Sequence, residues 1–358
     1  MQITDIQYKI LQLSPKVNFK IALADESRNE TLLLKIDTDE GLIGYGEANP
    51  YLPVTGDVVP DIAEFIRQIK PLLIGKNPLA IERMHRTMDR FAVHKSAGKA
   101  AIDMALYDLM GKKAGLPVYM LLGGNSNEVI SDMTIGINTP GRMAALARQY
   151  ADEGFKILKI KVGANAKDDL EAVRKIREIV GPDISLRLDA NQGWGRKETV
   201  QVMKLMEAYR VDEIEQPVPY WDFDGCRFIR EHITQDLMMD ESVKLPKDAL
   251  RAVKEEATDI INIKLMKCGG LYRGMQINAI AQSANIPCMV GCMTESRLAI
   301  AAGAALVASQ GNIIYADLDS YRMLEEIPGI RGGFTQQGGL MCLEDKPGLG
   351  VEVDFDML

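Results

Sequence analysis

The sequence predicts an α/β protein, a (β/α)8-type barrel with an additional α+β region, and two patterns carry this prediction. From about residue 130, eight short apolar or alternating segments alternate with amphipathic helical stretches, which is typical of parallel strands joined by helices. The first 120 residues instead mix strand-like and helical segments. The 358 residues, 47% of them hydrophobic, suit two domains or one large barrel with an addition.

The N-terminal region begins with strand-like stretches and continues with helical ones. Residues 3–13 and 31–47 have the pattern of strands, and the second stretch turns near Gly41. Helices are expected near 57–74, 80–91 and 96–115, and the last of these has a strong helical period and ends at a glycine.

Eight segments are the predicted barrel strands: DMTIGI, ILKIKVG, SLRLDAN, VDEIEQP, LMMDES, INIKLM, PCMVGC and NIIYADLD. The tail from Tyr321 is rich in glycine and has no barrel strand left to form, so we expect it to return to the N-terminal region. The expected boundaries are therefore 1–125 for the N-terminal region, 126–320 for the barrel and 321–358 for the returning segment.

The composition limits the classes of partner. The formal net charge of −8 argues against binding to nucleic acid or to anionic membranes. Aromatic residues make up only 6% of the chain and offer few stacking surfaces for bases. The five cysteines form no CxxC pair, no apolar run reaches the length of a membrane helix, and the first residues do not resemble a signal peptide. We therefore expect a cytoplasmic protein with reduced thiols that binds neither nucleic acid nor membrane.

Most predicted barrel strands end in one ionisable residue. Successive strands end in Lys161, Asp189, Glu215, Asp240 and Lys264, and the last strand ends in Asp317. Active sites of (β/α)8 barrels lie at the carboxyl ends of the strands. We therefore expect these side chains to converge at one mouth of the barrel.

Three of these residues suit a hard divalent cation. Asp189, Glu215 and Asp240 come from adjacent strands, and Mg²⁺ prefers oxygen ligands while leaving positions open for substrate. The three histidines lie elsewhere in the sequence, which argues against zinc. The alternative for any single carboxylate is a solvated loop charge, but matched positions on three strands favour a metal site.

Lys161 and Lys264 belong to strands two and six, on opposite sides of the predicted barrel. Two bases on opposite faces of one carbon suit a 1,1-proton transfer: one base removes an α-proton, a metal stabilises the enediolate, and the other base returns a proton. A nearby divalent cation and a second lysine should lower the pKa of such a lysine. Lys267 lies past the end of strand six and is expected in a loop.

The alternation in ILKIKVG places Lys159 and Lys161 on one inward face of strand two. At about 3.3 Å per residue, Lys159 lies about 7 Å deeper than Lys161. Other strands carry Arg187, Glu213 and Asn262 at the same depth. We expect a charged layer beneath the site, in which Glu213 contacts Lys159 or Arg187.

Five segments together resemble the enolase superfamily, in its muconate-lactonising-enzyme subgroup: KIKVG, RLDANQGW, EIEQP, DES and INIKLMKCGG. The resemblance covers essentially the whole chain, because the N-terminal region also resembles the α+β capping domain of that family. It implies that Asp189, Glu215 and Asp240 bind Mg²⁺ and that Lys161 and Lys264 are the acid/base pair.

Four further residues are expected to support the site from behind: Lys159, Arg187, Asn191 and Glu213. In the family that the sequence resembles, the first lysine of K-x-K supports the second. Homo-oligomers are common in that family, so the resemblance also implies a homo-oligomer.

The end of strand eight separates activities within the subgroup. ADLDS places Asp317 and Asp319 on one face, which resembles the D-x-D of dipeptide epimerases, where two acids hold the α-ammonium of the substrate. Thr134 and Cys292 fall near strand ends and are expected to line the substrate pocket. The alternative role of Asp319 is to cap the turn before Ser320.

The resemblance therefore implies an isomerase that inverts the α-carbon of the C-terminal residue of a dipeptide, and murein-peptide metabolism is a context implied by resemblance alone. One alternative is an o-succinylbenzoate synthase or muconate-type cycloisomerase, which shares the lysines and metal ligands. Two added carboxylates would repel its anionic substrate. The alternative from another class is a barrel that binds a ligand without catalysis, which does not need two opposed bases.

The segment NFKIALADESRNE resembles the mobile specificity loop of the family. Epimerases that favour Ala-Glu typically carry an arginine where Ala24 stands, so Ala24 argues against simple Ala-Glu specificity. Arg28 or Lys20 could replace the missing cation, or Asp25 and Glu26 could favour a basic or apolar side chain.

Overall fold

The computed structural model describes residues 1–16, 19–22, 25–26 and 29–358. Its fold is the predicted α/β barrel with an α+β capping region. The capping strands are β1 (Ile3–Leu13), β2 (Phe19–Lys20), β3 (Asp25–Glu26), β4 (Asn29–Thr38) and β5 (Ile43–Ala48). Strands β1, β4 and β5 form an antiparallel sheet in that order.

The helices of the capping region are α1 (Leu52–Thr55), α2 (Val59–Leu73), α3 (Ile81–Phe91), α4 (Ser96–Ala114) and α5 (Val118–Leu121). Helices α2 and α4 pack on this sheet, and α3 packs on α2 and α4. The three predicted helices are confirmed. Helix α4 lies directly against β5, where a Cβ atom on Gly46 would come within 1.9 Å of the Ala101 carbonyl oxygen. The glycine is therefore required for this close approach.

The barrel has eight parallel strands in sequential order. After the short strand β6 (Glu128–Ile130), they are β7 (Met133–Ile135), β8 (Ile157–Lys161), β9 (Ser185–Asp189), β10 (Glu213–Glu215), β11 (Asp236–Met239), β12 (Ile260–Lys264), β13 (Cys288–Gly291) and β14 (Ile313–Asp317). A parallel bridge between Ser131 and Ala316 joins the first and last strands. The Leu318 N–H also donates to Ser131 Oγ at 2.9 Å, so the barrel is nearly closed.

Helices follow the first seven barrel strands: α6 (Pro140–Asp152), α7 (Ala166–Val180), α8 (Arg196–Met206), α9 (Phe223–Arg230), α10 (Pro246–Lys254), α11 (Leu265–Cys268), α12 (Leu271–Ser283) and α13 (Arg297–Ser309). The prediction of an eighth helical unit is wrong, because a 3-10 turn at Ser320–Met323 follows β14. The chain leaves the barrel directly after the residues that enter its mouth. Along the described chain, every helix is too short or too polar to span a bilayer.

The tail contacts the capping region, as expected. Its strands are β15 (Ile330–Gly332), β16 (Phe334–Gln337), β17 (Leu340–Leu343) and β18 (Val351–Val353). The Leu349 N–H donates to Asp108 Oδ1 at 2.9 Å, and Lys9 Nζ donates to the Leu358 carbonyl at 2.9 Å. Strand β17 also pairs with β6 beside the barrel. The boundaries at residues 125 and 320 stay predictions.

Candidate active site

A cavity lies at the carboxyl ends of the barrel strands and is covered by the capping region. Its floor carries ionisable side chains, and its upper wall comes from the capping segments and the chain after β14. The predicted site residues that line it are Thr134, Lys161, Asn191, Asp240, Lys264, Cys292, Asp317 and Asp319. These residues therefore lie together at one mouth of the barrel, and their roles stay predictions.

Lysines of β8 occupy two depths of the barrel. Lys161 Nζ donates to Asp189 Oδ2 at 2.6 Å. Lys159 Nζ lies below and contacts three carboxylates: Asp189 at 3.1 Å, Glu215 at 2.7 Å and Asp317 at 2.7 Å. Burial alone would lower the pKa of Lys159, but these carboxylates, Asp317 foremost, raise it well above its usual range. Lys159 is therefore an ammonium and not a base.

Asp240 is held by two lysines from the end of β12. Lys264 Nζ lies 3.0 Å from Asp240 Oδ2. Lys267 Nζ donates to Asp240 Oδ1, to the Asp240 carbonyl, and to the Asn262 carbonyl at 3.0 Å. The prediction of a loop position for Lys267 is wrong, because the chain continues from β12 directly into the buried helix α11. Lys267 was thus missed as a site residue, although its spacing of three from Lys264 was visible.

The pKa of Lys264 is raised, whereas the sequence led us to expect a lowered pKa. Burial lowers this pKa, but the Asp240 carboxylate and then Glu215 reverse the effect and raise it above its usual range. The prediction of a lowered pKa assumed a divalent cation. Among protein groups alone, negative charge dominates around this lysine.

Six carboxyl groups meet four ammonium groups at this mouth. The carboxyl groups belong to Asp189, Glu215, Asp240, Glu241, Asp317 and Asp319, and the ammonium groups to Lys159, Lys161, Lys264 and Lys267. The carboxyl groups of this set therefore outnumber its lysines by two. Burial and then Asp189 raise the pKa of Glu215 to about 7, and burial and then Asp240 raise the pKa of Glu241 to about 8. A divalent cation would supply the missing charge, so this oxygen-rich donor set fits Mg²⁺.

The three predicted metal ligands lie at neighbouring strand ends, but their oxygens are not gathered around one point. Glu215 and Asp189 are register partners, and Asp240 directly follows the end of β11. Among described residues, the set of three candidate ligand groups within 4.8 Å of one another is instead Cys292, Asp317 and Asp319. Lysine ammonium groups pair with these oxygens instead: Lys159 with Asp189 and Glu215, and Lys267 with Asp240.

Left-handed backbone supports the ligands. Asn191 and Gln216 have φ values of 39° and 35°, which L-residues seldom adopt outside functional sites. The Asn191 N–H donates to Asp189 Oδ1 at 2.9 Å, and Gln216 Oε1 accepts from the Asp240 N–H at 3.0 Å. Glu241 Oε2 and Asn191 Oδ1 are buried without a hydrogen-bond partner among the described residues. Sequence reasoning missed Gln216 and Glu241, although each directly follows a predicted ligand.

The Asp317–Asp319 pair forms a separate acidic end of the cavity. Asp319 Oδ2 accepts from the Thr134 N–H at 2.6 Å, and Asp317 Oδ1 lies 3.5 Å from Thr134 Oγ1. The Asp319 side chain does not cap the following turn, so that alternative is wrong. Burial and then Asp317 raise the pKa of Asp319 to about 6, and burial raises the pKa of Cys292 well above its usual range. The cysteine is a neutral thiol beside two cation acceptors.

The expected charged layer lies beneath the site. Arg187 Nε is 3.7 Å from Glu213 Oε1, and Arg187 Nη1 is 3.6 Å from Asp132 Oδ2. The guanidinium also lies over the Tyr315 ring, 4.0 Å from its centroid. Burial raises the pKa of Glu213 to about 7. Asp132 was missed, although it directly precedes the first barrel strand.

The specificity loop is only partly described. Ala24 and Arg28 lie outside the described residues, so the predictions made for them stay predictions. Lys20 is exposed, and its carbonyl accepts from the Ile137 N–H at 2.8 Å. This contact places Lys20 beside the end of β7.

Two family descriptions match the chain. The family described as "Mandelate racemase / muconate lactonizing enzyme, N-terminal domain" matches residues 6–123. The family described as "Enolase C-terminal domain-like" matches residues 142–357. Together they span the capping region, the barrel and the tail.

Characterised relatives match over nearly the full length. "Hydrophobic dipeptide epimerase" from Enterococcus faecalis is 42% identical over 98% of this chain and 99% of its own, and "L-Ala-D/L-Glu epimerase" from Clostridium acetobutylicum is 37% identical over the same shares. The crystal structure of the dipeptide epimerase from Enterococcus faecalis V583, complexed with Mg and the dipeptide L-Leu-L-Tyr, has a TM-score of 0.96. It is 42% identical and covers 98% of this chain and 100% of its own. The chain is thus similar to dipeptide epimerases of differing side-chain preference.

Proposed function

Because the chain belongs to the mandelate racemase / muconate lactonizing enzyme family of the enolase superfamily, we propose that it is a Mg²⁺-dependent dipeptide epimerase. It inverts the α-carbon of the C-terminal residue by moving a proton from one face of that carbon to the other. One observation carries the proposal: a single cavity contains lysines from opposite barrel walls and the Asp317–Asp319 pair.

Asp189, Glu215 and Asp240 would hold Mg²⁺, because they are the carboxylates at adjacent strand ends in a site with excess negative charge. When bound, the cation supplies positive charge next to the substrate carboxylate, which makes the α-proton more acidic. Asn191 and Gln216 keep the ligand carboxylates in place through the hydrogen bonds described above.

Lys161 and Lys264 act on the two faces of the α-carbon. They belong to β8 and β12, which lie on opposite sides of the barrel, and both side chains reach the cavity. One lysine takes the proton as a neutral amine while the other donates as an ammonium, and the roles reverse for the other epimer. Lys159 stays charged below them and favours the ionised forms of Asp189, Glu215 and Asp317.

Asp317 and Asp319 would hold the α-ammonium of the N-terminal residue. Their oxygens face the cavity opposite the metal-ligand carboxylates, and a cation with three N–H donors is well matched to two carboxylates. The same pair disfavours the succinylbenzoate synthase and cycloisomerase alternatives, because both act on anionic substrates. A barrel without catalysis would not need two opposed lysines.

The direct test is α-carbon exchange in ²H₂O with a dipeptide library and Mg²⁺. We expect deuterium to enter only the C-terminal α-position as the two epimers interconvert, which NMR and mass spectrometry would detect. Absence of exchange in every dipeptide, together with dehydration of a succinylbenzoate precursor, would contradict the proposal.

Single lysine variants test the two-base mechanism. Lys161→Ala and Lys264→Ala should each abolish epimerisation while each still exchanges the α-proton of one epimer only, and calorimetry should show retained Mg²⁺ binding. Lys254→Ala is the control, because Lys254 is exposed on the outer helix α10. Turnover retained in both active-site variants would exclude these lysines as the bases.

A homo-oligomeric state and a cytoplasmic location are retained as proposals from the sequence. Light scattering on the purified protein tests the first, and fractionation of the source cells tests the second.

A further inference from the structure

The cavity divides into a charged floor and an uncharged, mainly apolar wall, to which the polar residues Asn49, Tyr51, Thr294 and Ser320 also contribute. The floor holds all charged groups that line the cavity among the described residues: Lys161, Asp240, Glu241, Lys264, Asp317 and Asp319. Under the proposed function, every dipeptide engages these groups with its ammonium, its carboxylate and its α-carbon. They therefore do not distinguish one side chain from another.

One part of the wall lies on the side of the metal ligands and the two catalytic lysines. Val54 in α1 is 6% exposed, and its carbonyl accepts from Lys244 Nζ at 2.7 Å, shortly after Asp240 in the chain. Ile21 is 7% exposed and follows Lys20, which is anchored to the end of β7. Both side chains line the cavity, and under the proposed function the side chain of the C-terminal residue would lie against them.

A second part of the wall lies beside the acidic pair. Met293 follows β13, and Met323 and Leu324 follow β14. Pro15 closes this part through a bridge to Leu324. All four line the cavity next to Asp317 and Asp319, where the side chain of the N-terminal residue would lie.

From this division we infer that the substrate is a dipeptide with apolar side chains at both positions, an inference that rests on the proposed epimerase function. A charged side chain would lose water against either part of the wall, and the described wall residues that line the cavity carry no charge. An apolar side chain gains from the same burial. The relative named as a hydrophobic dipeptide epimerase is consistent with this preference.

The test is a library in which each position carries an apolar, acidic or basic residue, assayed by exchange in ²H₂O. We expect kcat/KM for dipeptides with two apolar side chains to exceed that of singly charged ones by about tenfold or more. Equal or faster turnover of an acidic or basic C-terminal residue would overturn the inference and would assign recognition to loop residues such as Arg28, Asp25 or Glu26. That outcome leaves the epimerase function standing, whereas absence of exchange in the whole library overturns the function itself.

Substitutions of residues in the cavity wall test which part of the wall sets the side-chain preference at each position of the dipeptide. Val54→Arg should lower kcat/KM for a C-terminal leucine at least about tenfold and raise it for a C-terminal glutamate. Leu52→Arg is the matched control, because Leu52 belongs to the same helix α1 and is 59% exposed. Unchanged specificity in a folded Val54→Arg protein would contradict the assignment.

The half-buried Met323 gives a second variant for the other position, in case Val54→Arg does not fold. Met323→Glu should favour a basic N-terminal residue over leucine without changing the preference at the C-terminal position. An equal change at both positions would show that the wall does not divide as described.

Discussion

Lys159 and Lys161 stand two residues apart on one strand face, yet their surroundings give them different chemistry. Lys159 is 1% exposed and has three carboxylate partners, so its proton is held tightly. Lys161 reaches the cavity and has one carboxylate partner among the described contacts, Asp189. Depth along the strand, rather than residue type, thus separates the proposed base from its supporting cation.

With Mg²⁺ at a saturating concentration, Asp319 should govern the acid side of the pH profile. Its pKa is raised to about 6 by burial and by Asp317, so it is neutral below that pH and ionised above it. Only the ionised form attracts the substrate ammonium, so we expect kcat/KM to fall about tenfold per pH unit below about 6. Kinetics over about 3 pH units, from about pH 5 to about pH 8, would measure the decline.

Asp319→Asn is the variant that isolates this effect. Asparagine still accepts the Thr134 N–H, so the local structure is kept, but it carries no titrating charge. The variant should have a lower kcat/KM at neutral pH and should lose the steep decline below pH about 6. An unchanged decline would assign the titration to another group.

At the scale of elements, one carboxylate connects the capping sheet to the barrel. Glu47 at the end of β5 accepts from the Ser296 N–H at 2.9 Å and from the Ala299 N–H at 3.1 Å, at the N-terminus of α13. It also accepts from the Thr31 and Ser296 hydroxyls. A buried acceptor for free helix N–H groups stabilises both elements.

Glu47→Gln should therefore destabilise the fold by about 2 kcal/mol, because the amide NH₂ would face N–H donors. Urea unfolding monitored by circular dichroism would measure the loss. Glu352→Gln is the control: Glu352 is exposed in β18, so no measurable loss is expected. Equal stability of the two variants would contradict a connecting role for Glu47.

The sequence predicted those elements that are long enough for a repeating pattern of apolar residues to be recognised. Alternation located the barrel strands, and the helical period located α2, α3 and α4. Helices α1 and α11 have four residues each, about one turn, which is too short for a period to be visible. Lys267 was misplaced for this reason. The eighth helix was predicted by extending a repeat, but the chain after β14 forms the cavity wall instead.

The candidate site was predictable where one strand supplies one residue. Lys161, Asp189 and Asp317 follow from strand ends alone, because parallel strands place their ends at one mouth. Contacts between distant segments carry no such signal. Val54 lines the cavity from the capping region, and Asp132, just before β7, contacts Arg187 in β9 two strands away, so both needed the fold.

At the scale of the whole molecule, metal binding should be coupled to stability. The folded chain gathers six carboxyl groups that separate on unfolding, so Mg²⁺ binds the folded state preferentially. At a Mg²⁺ concentration of about 100 times Kd, the free energy of unfolding should rise by about 2.7 kcal/mol, and EDTA should reverse the gain. Thermal or urea unfolding with and without Mg²⁺ measures this difference.

The gain should depend on pH in a defined direction. The pKa of Glu215 is raised to about 7 by burial and by Asp189, so below that pH a proton competes with the cation and the Mg²⁺-dependent gain shrinks. Asp189→Asn should abolish the gain, whereas Asp152→Asn, an exposed position at the end of α6, should retain it. A gain of equal size in both variants would place the Mg²⁺ site away from the barrel mouth.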